Sequence, residues 1–423
     1  MKISAGIDFG TTNTTAAITG LNTYPKVIPV EGNDCVIPSA MFFGENNNLI
    51  FFGRNAMKKY MDGDPGRFMR SLKRVLGTGL MKSGTSINGR PIGFQMVISA
   101  FLQNIKSKLD EAAGQNIDQV VMGRPVFFRD NDPVGDNRAE KELKQIAKDA
   151  GFKDILFQYE PIAAAFAHER LLKEEQLAAV IDIGGGTSDF TIIRLGGTCA
   201  KKIDRRQDIL ANTGIRIGGN DFDKRLSLET FMPEFGMGTE YNSGTLAQPK
   251  YLPVPTTYFF DLSEWSHVNS LYTYKNINMA NRYWNGAGRD EKLGRLVEVM
   301  ERQLGHKVLT RIEDAKIALS DQDEIKVPMD FLLSKTVLTA TRKEFETSIT
   351  EHTVKILDAA KECVKLANVK PEEIHLVVLT GGSTEIPFIR DKLCGVFPNA
   401  KISGEEKLSS VGLGLAFDAM RRF

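Results

Sequence analysis

The sequence predicts an α/β fold made of two similar halves that face each other and leave a cleft between them. The chain has 423 residues, too many for one ordinary hydrophobic core, so two large lobes or several subdomains are expected. Strand and helix patterns occur in both halves. A short pattern is also repeated, because "AGIDFGTTNTT" (5–15) aligns with "AVIDIGGGTSD" (179–189).

Each copy of the repeat predicts the same local structure: a buried strand, an aspartate, a turn of small residues and a returning strand. Asp8 and Gly10 of the first copy correspond to Asp182 and Gly184 of the second. A match this short is weak by itself. Its context strengthens it, because each copy would open one half of the chain and offer one loop to the cleft.

The other elements follow from hydrophobic periodicity and from glycine and proline signals. The sequence predicts helical segments at 94–113, 138–152, about 293–320, 341–367 and in the C-terminal "LSSVGLGLAFDAMRRF". Within 159–175 it predicts a helix that begins shortly after Pro161. It predicts strands at 117–128 and on both sides of the turn in 176–193, and a strand, glycine turn and helix at 374–393.

Residues 231–292 differ in composition from the rest of the chain. They contain Trp265, Trp284 and six of the nine tyrosines, together with the Pro- and Thr-rich stretch "QPKYLPVPTTYFF". This composition predicts a separate subdomain that is β-rich or irregular. We expect most of its aromatic side chains to form a core.

Composition and charge exclude some classes of function. The formal net charge is +1, which does not favour nucleic acid or an anionic membrane as a partner. Cys35, Cys199, Cys363 and Cys394 are far apart and are expected to be reduced and mostly buried. The chain shows neither a signal segment nor a run of about 18 apolar residues, so a cytoplasmic location is expected.

The two glycine turns, Gly10–Thr12 and Gly184–Thr187, are suited to binding phosphate. Glycine lets the backbone approach a ligand closely, and successive N–H groups in such a turn converge on an anion. An ordinary β-hairpin is the alternative for either turn alone. Two similar turns, each after an aspartate, favour a polyphosphate. A third turn in "LTGGSTEIP" (379–387) also suits a nearby ligand, although such strand–helix connections are common.

Aspartates beside a polyphosphate require a cation. Asp8, Asp182 and Asp189 would repel the ligand unless Mg²⁺, which takes carboxylates, phosphate oxygens and water, lies between them. The alternative is that they cap the turns. The sequence lacks the P-loop, dinucleotide, zinc-protease and hydrolase-elbow signatures.

Taken in order, these motifs resemble the nucleotide-binding domain of DnaK-type heat-shock chaperones, within the actin-like ATPase superfamily. The matching segments are "IDFGTTNTT", "SLKRVLG" (71–77), "YEPIAAAFAH", "VIDIGGGTSDFTII", "IGGNDFDKRL" (217–226), "IEDAKIALS" (312–320) and "LTGGSTEIPFI". They span residues 5 to about 415. The unusual 231–292 stretch makes the pattern most similar to the YegD-like branch of chaperone-like proteins.

The resemblance implies an actin-like ATPase fold with two similar lobes around a nucleotide cleft. Each lobe would have a large RNase H-like core subdomain and a smaller inserted subdomain. Lobe I would span 1–175, with its small subdomain at about 38–115, and would be completed by a C-terminal helix at about 405–423. Lobe II would span 176–404, with an aromatic-rich small subdomain at about 226–310. No substrate-binding domain is expected.

The resemblance also implies roles for individual residues. Lys73 would reach the γ-phosphate and the attacking water, and Asp8 and Asp182 would hold the water shell of Mg²⁺. The residues implied in catalysis are Lys73, Glu160, Asp182, Thr187 and Asp189. The residues implied in nucleotide binding are Asp8, Gly10, Thr11, Thr12, Gly184, Gly185, Gly186, Thr187, Gly218, Gly219, Glu313, Lys316, Ser320, Gly381, Gly382 and Ser383.

The chain departs from the family pattern on the adenine side. Ile317 and Glu385 stand where the pattern has arginines, and "KLSSVGLG" (407–414) replaces the usual "PDEAVAYG". Phosphate handling therefore matches the family, while altered adenine stacking predicts weaker ATP affinity or relaxed base choice.

Three hypotheses about function remain at this point. The favoured one is a chaperone-like protein that binds Mg-ATP and hydrolyses it slowly, so that lobe closure acts on a partner protein, which could bind at 231–292. The second is a kinase for a sugar or another small molecule. The third is a filament-forming or nucleotide-sensing protein of the actin-like type.

Overall fold

The structure of the protein is a computed structural model. It describes residues 3–19, 24–45, 49–87, 89–129, 132–169, 172–199, 202–245, 247–403 and 410–423. Two expectations extend beyond these ranges. Residues 170–171 of the predicted helix at 159–175 and residues 405–409 of the predicted C-terminal helix lie outside the described residues.

The described strands, in chain order, are β1 (Ala5–Phe9), β2 (Asn13–Ile18), β3 (Lys26–Val27), β4 (Val36–Pro38), β5 (Ala40–Gly44), β6 (Ile50–Phe52), β7 (Gly66–Arg70), β8 (Thr85–Ile87), β9 (Arg90–Ile92), β10 (Gln119–Arg124), β11 (Asp154–Tyr159), β12 (Gln176–Ile183), β13 (Ser188–Leu195), β14 (Ile209–Ile215), β15 (Glu240–Asn242), β16 (Tyr251–Pro253), β17 (Glu324–Pro328), β18 (Val337–Thr341), β19 (Ile374–Thr380) and β20 (Lys401–Ser403).

The described α-helices are α1 (Gly53–Met61), α2 (Leu80–Ser83), α3 (Phe94–Ala113), α4 (Pro133–Asp149), α5 (Glu160–Glu169), α6 (Gly219–Leu226), α7 (Thr257–Leu262), α8 (Tyr274–Gly286), α9 (Glu291–Glu301), α10 (Gly305–Ala318), α11 (Arg342–Ser348), α12 (Thr350–Leu366), α13 (Pro387–Cys394) and α14 (Ser410–Arg422). The prediction of a mixed α/β protein is therefore confirmed.

Two sheets have the same strand order. In the first, β11, β10 and β1 are parallel neighbours, and β2 and then β3 continue the sheet with antiparallel pairing. In the second, β20, β19 and β12 are parallel neighbours, and β13 and then β14 continue it with antiparallel pairing. β1 and β12 thus take equivalent central places, so the repeated sequence pattern is also a repeated topology.

Helix α3 has the bounds that the sequence predicts. Its apolar face is buried, with Phe101 contacting Phe9 of β1 at 5.8 Å between ring centroids. Gly93 precedes the helix, and Gly114, with φ of 64°, ends it in the left-handed conformation that glycine adopts easily. Amphipathic periodicity and a glycine stop are local signals, which is why the sequence locates this helix well.

Other helix boundaries differ from those predicted. Helix α4 starts at Pro133 instead of 138, because the Asp132 side chain accepts a hydrogen bond from the Gly135 N–H at 2.9 Å and caps the first turn. The segment predicted as one helix at 341–367 is broken at Ile349 into α11 and α12. The helical stretch near 293–320 is likewise divided into α9 and α10, with Gln303 at φ of 54° between them.

Region 231–292 is mainly helical, which corrects the expectation of a β-rich or irregular subdomain. It contains α7, α8 and the start of α9, whereas its strands are the short pair β15 and β16. The aromatic residues that suggested strands instead pack between elements: Tyr283 of α8 contacts Tyr258 of α7 and Tyr241 of β15. Tyr258 and Tyr283 are buried, while Tyr251 and Tyr274 are exposed.

The described structure divides into two compact units. The first comprises Met1–Ile215, Ala359–Thr384 and Leu393–Phe423, and the second comprises Arg216–Asp358 and Glu385–Lys392. Both sheets that share a strand order belong to the first unit. The boundaries of lobes and subdomains expected from the sequence stay a prediction.

Two expectations about the whole chain can be compared with the structure. Throughout the described ranges, no helix is both long enough and apolar enough to cross a bilayer. All four cysteines are free thiols, as predicted. Burial is confirmed for Cys199 and Cys363, whereas Cys35 and Cys394 are partly exposed.

Candidate functional site

The two glycine turns join equivalent strands of the two sheets in the first unit. Gly10, Thr11 and Thr12 connect β1 to β2, and residues 184–187 connect β12 to β13. At the first turn Asp8 pairs in register with Thr15, and at the second Asp182 pairs with Asp189. In both cases the aspartate lies near the end of its strand, beside the turn.

The first turn is supported by a serine that the sequence analysis did not identify. Ser39 is 2% exposed, its hydroxyl donates to the Gly10 carbonyl at 2.8 Å, and its N–H donates to the Thr12 carbonyl at 2.7 Å. The two bonds occupy the carbonyl groups of Gly10 and Thr12, the first and last residues of the turn. No sequence signal near Ser39 indicates this role, since the contact spans 29 residues.

The second turn is closed by its own bonds and braced by the third glycine turn. The Gly184 N–H donates to the Thr187 carbonyl at 3.0 Å, and the Thr187 hydroxyl donates to Asp189 Oδ2 at 3.1 Å. Ser383 lies within 3.4 Å of the Gly184 carbonyl and can donate to it. The predicted residues Gly381, Gly382 and Ser383 therefore lie against the second turn.

Position 381, just after the end of β19, requires a glycine. Its φ is +80°, and a Cβ there would lie 2.5 Å from Asp182 Oδ1 and 2.4 Å from the Ile183 carbonyl oxygen. Thr380, which pairs with Asp182 across the sheet, directs its hydroxyl to that carboxylate. The sequence analysis missed Thr380, because only the pairing of β12 with β19 brings the two side chains together.

Lys73 and Glu160 form an ion pair although they are 87 residues apart. Lys73 Nζ lies 2.5 Å from Glu160 Oε1, and the two side chains are 9% and 17% exposed. Lys73 belongs to a 3₁₀ turn at Leu72–Val75, and Glu160 is the first residue of α5. The structure thus brings these two predicted residues into contact, and their roles in catalysis stay a prediction.

Asp8 and Asp182, two carboxylates near Lys73, have raised pKa values. Burial, the Glu160 charge and, more weakly, the Asp182 charge raise the pKa of Asp8 to about 7, although Lys73 opposes this rise. Burial and Glu160 raise the pKa of Asp182 to about 6, while the Thr380 hydrogen bond and Lys73 lower it. Burial tends to lower the pKa of Lys73, but Glu160, Asp8 and Asp182 outweigh it and raise that pKa. Negative charge therefore exceeds positive charge in this site.

The excess of negative charge makes the site suitable for a cation such as Mg²⁺. Asp8 and Asp182 are hard oxygen donors whose pKa values stay raised despite the Lys73 charge, and Mg²⁺ is bound through few carboxylates and several waters. In the described ranges, no cluster of three His, Cys, Asp or Glu side chains could hold a metal directly. The donor set fits an ion held through its water shell by Asp8 and Asp182.

Arg74 is a second cation that the sequence analysis did not select. A Cβ built on Gly186 would lie 3.8 Å from Arg74 Nη2, so the guanidinium flanks the second glycine turn. Arg74 is exposed, and its guanidinium has no hydrogen bond or ion pair with any described residue. It follows Lys73 directly in "SLKRVLG", but an arginine beside a lysine is by itself an ordinary surface feature.

A pocket open to solvent lies beside the carboxylates, within the first unit. The space it encloses, together with the open solvent at its mouth, amounts to about 390 Å³. One side is lined by Glu160, Asp182 and Asp189, and apolar residues, including Pro125 and Val411, line much of the rest. Its further polar lining comes from Thr191, Asn212 and Thr380. The pocket offers room for water close to the acidic side chains.

The residues predicted to contact the nucleoside are divided between the units. Gly218 and Gly219 lie at the start of α6 in the second unit, and Lys316 on α10 forms an ion pair with Asp223 of α6 at 2.8 Å. Glu313 lies on α10, and the carbonyl of Ser320, just after it, accepts from Arg342 at 3.3 Å. Within the second unit these five residues therefore cluster around α6 and α10.

The raised pKa values predict a pH-dependent stability. Between about pH 4 and pH 7 the folded, nucleotide-free protein binds more protons at Asp8 and Asp182 than the unfolded chain does, so stability falls as pH rises. Each group contributes at most about 1.4 kcal/mol per pH unit. Asp8→Asn should therefore raise the melting temperature at pH 8 and have little effect at pH 4. Parallel melting curves for both proteins across pH would contradict this.

One protein-family model matches most of the chain. The Hsp70 protein family model matches residues 4–245 and 295–420, and the chain belongs to that family. The unmatched segment overlaps the aromatic-rich region 231–292.

Chaperone protein HscA of Salmonella typhimurium (strain LT2) is 24% identical to the chain over 438 aligned positions, covering 99% of this chain and 58% of HscA. The HscA proteins of Salmonella newport (strain SL254) and Salmonella paratyphi C (strain RKS4594) give the same identity and coverage. The chain thus spans just over half the length of these curated relatives.

Proposed function

We propose that this Hsp70-family chain is an ATPase that binds ATP with Mg²⁺, hydrolyses it slowly and uses lobe closure to act on a partner protein. The observation that carries the proposal is the contact between Lys73 and Glu160 among the Asp8 and Asp182 carboxylates, beside the two glycine turns. This arrangement suits phosphoryl transfer to water, in which positioning and charge stabilisation supply most of the catalysis.

The roles proposed for the chain's residues follow from their places. The turn N–H groups of Gly10–Thr12 and Gly184–Thr187 would bind phosphates, with Gly381–Ser383 supporting the second turn. Lys73 would neutralise charge on the γ-phosphate, and Glu160, Asp182, Thr187 and Asp189 would order water in the pocket beside it. When bound, Mg²⁺ would supply positive charge at the phosphate oxygens.

Arg74 is an additional candidate for contacting phosphate. Asp8, Glu160, Asp182 and Asp189 outnumber Lys73 before any phosphate enters, so a bound triphosphate needs further positive charge. The exposed guanidinium of Arg74 beside Gly186 meets that need, and arginine pairs well with phosphate oxygens.

On the adenosine side, the proposal assigns Gly218, Gly219, Glu313, Lys316 and Ser320 to the nucleoside. Ile317 follows Lys316 on α10, is 59% exposed and lacks the charge that an arginine would place there. This favours weak or unselective base binding. Separately, the unusual 231–292 stretch is our reason for proposing assignment to the YegD-like branch. Calorimetry with ATP and GTP checks it, since tight and ATP-selective binding would contradict weak base recognition.

The relatives' name, chaperone protein HscA, supports a partner-directed role. The partner surface that we propose is region 231–292, where Tyr251, Phe260 and Tyr274 are exposed aromatic side chains. The near-neutral charge favours a protein partner over nucleic acid or membrane, and we propose a cytoplasmic location.

Phosphate release tests the proposed function. Purified protein should release phosphate from ATP when Mg²⁺ is present and no sugar is added, and chelation of Mg²⁺ should abolish the release. Mass spectrometry of reactions with a panel of sugars should detect no phosphorylated product. Phosphosugar formation would favour a kinase, and ATP binding without turnover would favour a nucleotide sensor; either result contradicts the proposal.

A further inference from the structure

The short turn that carries Lys73 is constrained at its start. Ser71 adopts the left-handed conformation, with φ of 58° and ψ of 33°, immediately before the 3₁₀ turn Leu72–Val75. A residue other than glycine adopts this conformation only where the surrounding structure imposes it. The chain therefore enters the Lys73 turn through an uncommon backbone conformation.

The end of the same turn is bound by helix α4. The N–H of Gly77 donates to Glu142 Oε2 at 2.7 Å, and Arg138 donates to the Gly77 carbonyl. Arg138 and Glu142 are four residues apart on α4, so their side chains lie on the same face. Together they occupy both backbone polar groups of Gly77.

Gly77 also lies too close to α4 for any other residue. Its φ is +72°, and a Cβ there would lie 2.5 Å from the Gly135 carbonyl oxygen. Two hydrogen bonds restrict the backbone between Lys73 and Gly77. The Leu76 N–H donates to the Lys73 carbonyl, and the Thr78 hydroxyl donates to the Val75 carbonyl. A shift of Gly77 relative to α4 would therefore move Lys73.

We propose that Arg138 and Glu142 are positioning residues for Lys73. They fasten the Lys73 turn to α4, and the fastened turn holds the Lys73 ammonium against Glu160 at the start of α5. Neither residue belongs to the set that contacts nucleotide. The rate and nucleotide-affinity measurements in the test below rest on the proposed function, whereas the geometric measurements require neither turnover nor nucleotide.

Glu142→Ala should release the Gly77 N–H, whereas Glu142→Gln retains an oxygen that can accept it. We expect Glu142→Ala to lower kcat for ATP about 10-fold, since small displacements of a catalytic group cost one to two powers of ten in rate. Nucleotide affinity by calorimetry should change by less than about 2-fold. Glu142→Gln should restore most of the rate. The exposed Lys141→Ala, on the same helix, is the matched control.

Two further measurements report on the turn directly. In Glu142→Ala, hydrogen exchange should accelerate in the peptide that contains Gly77. Lys73, which is 9% exposed, should react faster with an amine-selective reagent. Both changes should be small in Glu142→Gln and in Lys141→Ala.

The outcomes separate the two proposals. Faster exchange and greater Lys73 reactivity with an unchanged kcat would overturn the positioning role. Equal losses of kcat and nucleotide affinity would also overturn it, because they indicate general disruption. A wild-type protein that binds ATP without hydrolysing it would contradict the proposed function, while exchange and Lys73 reactivity would still test the attachment to α4. If Glu142→Ala changes neither hydrogen exchange at Gly77 nor the reactivity of Lys73, the positioning role is overturned.

Discussion

Lys73→Ala is expected to lower the rate of ATP hydrolysis by about 10²-fold or more. Removing one preorganised donor from a site of developing negative charge costs about 10²–10³ in kcat. The substitution also removes the charge that lowers the pKa of Asp8 and Asp182, so both carboxyls should protonate at higher pH. The turn N–H groups remain, so nucleotide binding should persist. Single-turnover phosphate release and calorimetry measure the two effects separately.

Two controls separate chemistry from loss of structure in that experiment. Lys82→Ala removes an exposed lysine from α2 and should hydrolyse ATP at the wild-type rate. Lys73→Ala leaves Glu160 without its cation, so the double variant Lys73→Ala/Glu160→Gln should recover stability without recovering activity. Full activity in Lys73→Ala would exclude the role assigned to this lysine.

Arg205→Ala is expected to destabilise the fold by about 3–5 kcal/mol, the usual cost of breaking a buried ion pair. Arg205 makes two 2.8 Å hydrogen bonds to Glu169 and one of 2.5 Å to Asp208. The three side chains are between 0% and 2% exposed. Without Arg205, Glu169 would lose this cation in the interior, and Asp208 would keep its contact with Lys202.

Denaturant unfolding monitored by circular dichroism checks this prediction. Arg206→Ala is the matched control, because Arg206 and its partner Asp204 are exposed and such pairs contribute about 0–1 kcal/mol. Arg205→Lys should recover only part of the loss, since an ammonium cannot reproduce the two parallel bonds to Glu169. Equal unfolding free energies for Arg205→Ala and Arg206→Ala would refute the assignment.

Helix α5 connects the candidate site to the buried ion-pair cluster of Arg205, Glu169 and Asp208. Glu160 begins this helix and Glu169 ends it, so the residue that pairs with Lys73 and the residue that pairs with Arg205 belong to one element. Loosening the end of α5 is therefore expected to disturb the Lys73–Glu160 contact as well. Nothing in the local sequence around Arg205 indicates this cluster, because Glu169 is 36 residues away.

The parts of the fold that the sequence predicts well are those that depend on local sequence patterns. The bounds of α3 follow from apolar periodicity and a glycine stop, and the two strand–turn–strand copies follow from aspartate and glycine between apolar runs. Composition was a poorer guide in region 231–292. Its tyrosines favour strands by propensity, but packing between α7 and α8 determines their conformation.

The sequence alone determined the two aspartate–glycine turns and most helices and strands near them, because those features depend on residues that are neighbours in the chain. The tertiary structure decided which distant side chains meet. It brings Lys73 to Glu160, Thr380 to Asp182 and Glu142 to Gly77, and it raises the pKa of Asp8 by burying it among like charges. Burial and charge proximity are properties of three-dimensional distance, which strand pairing and helix packing set.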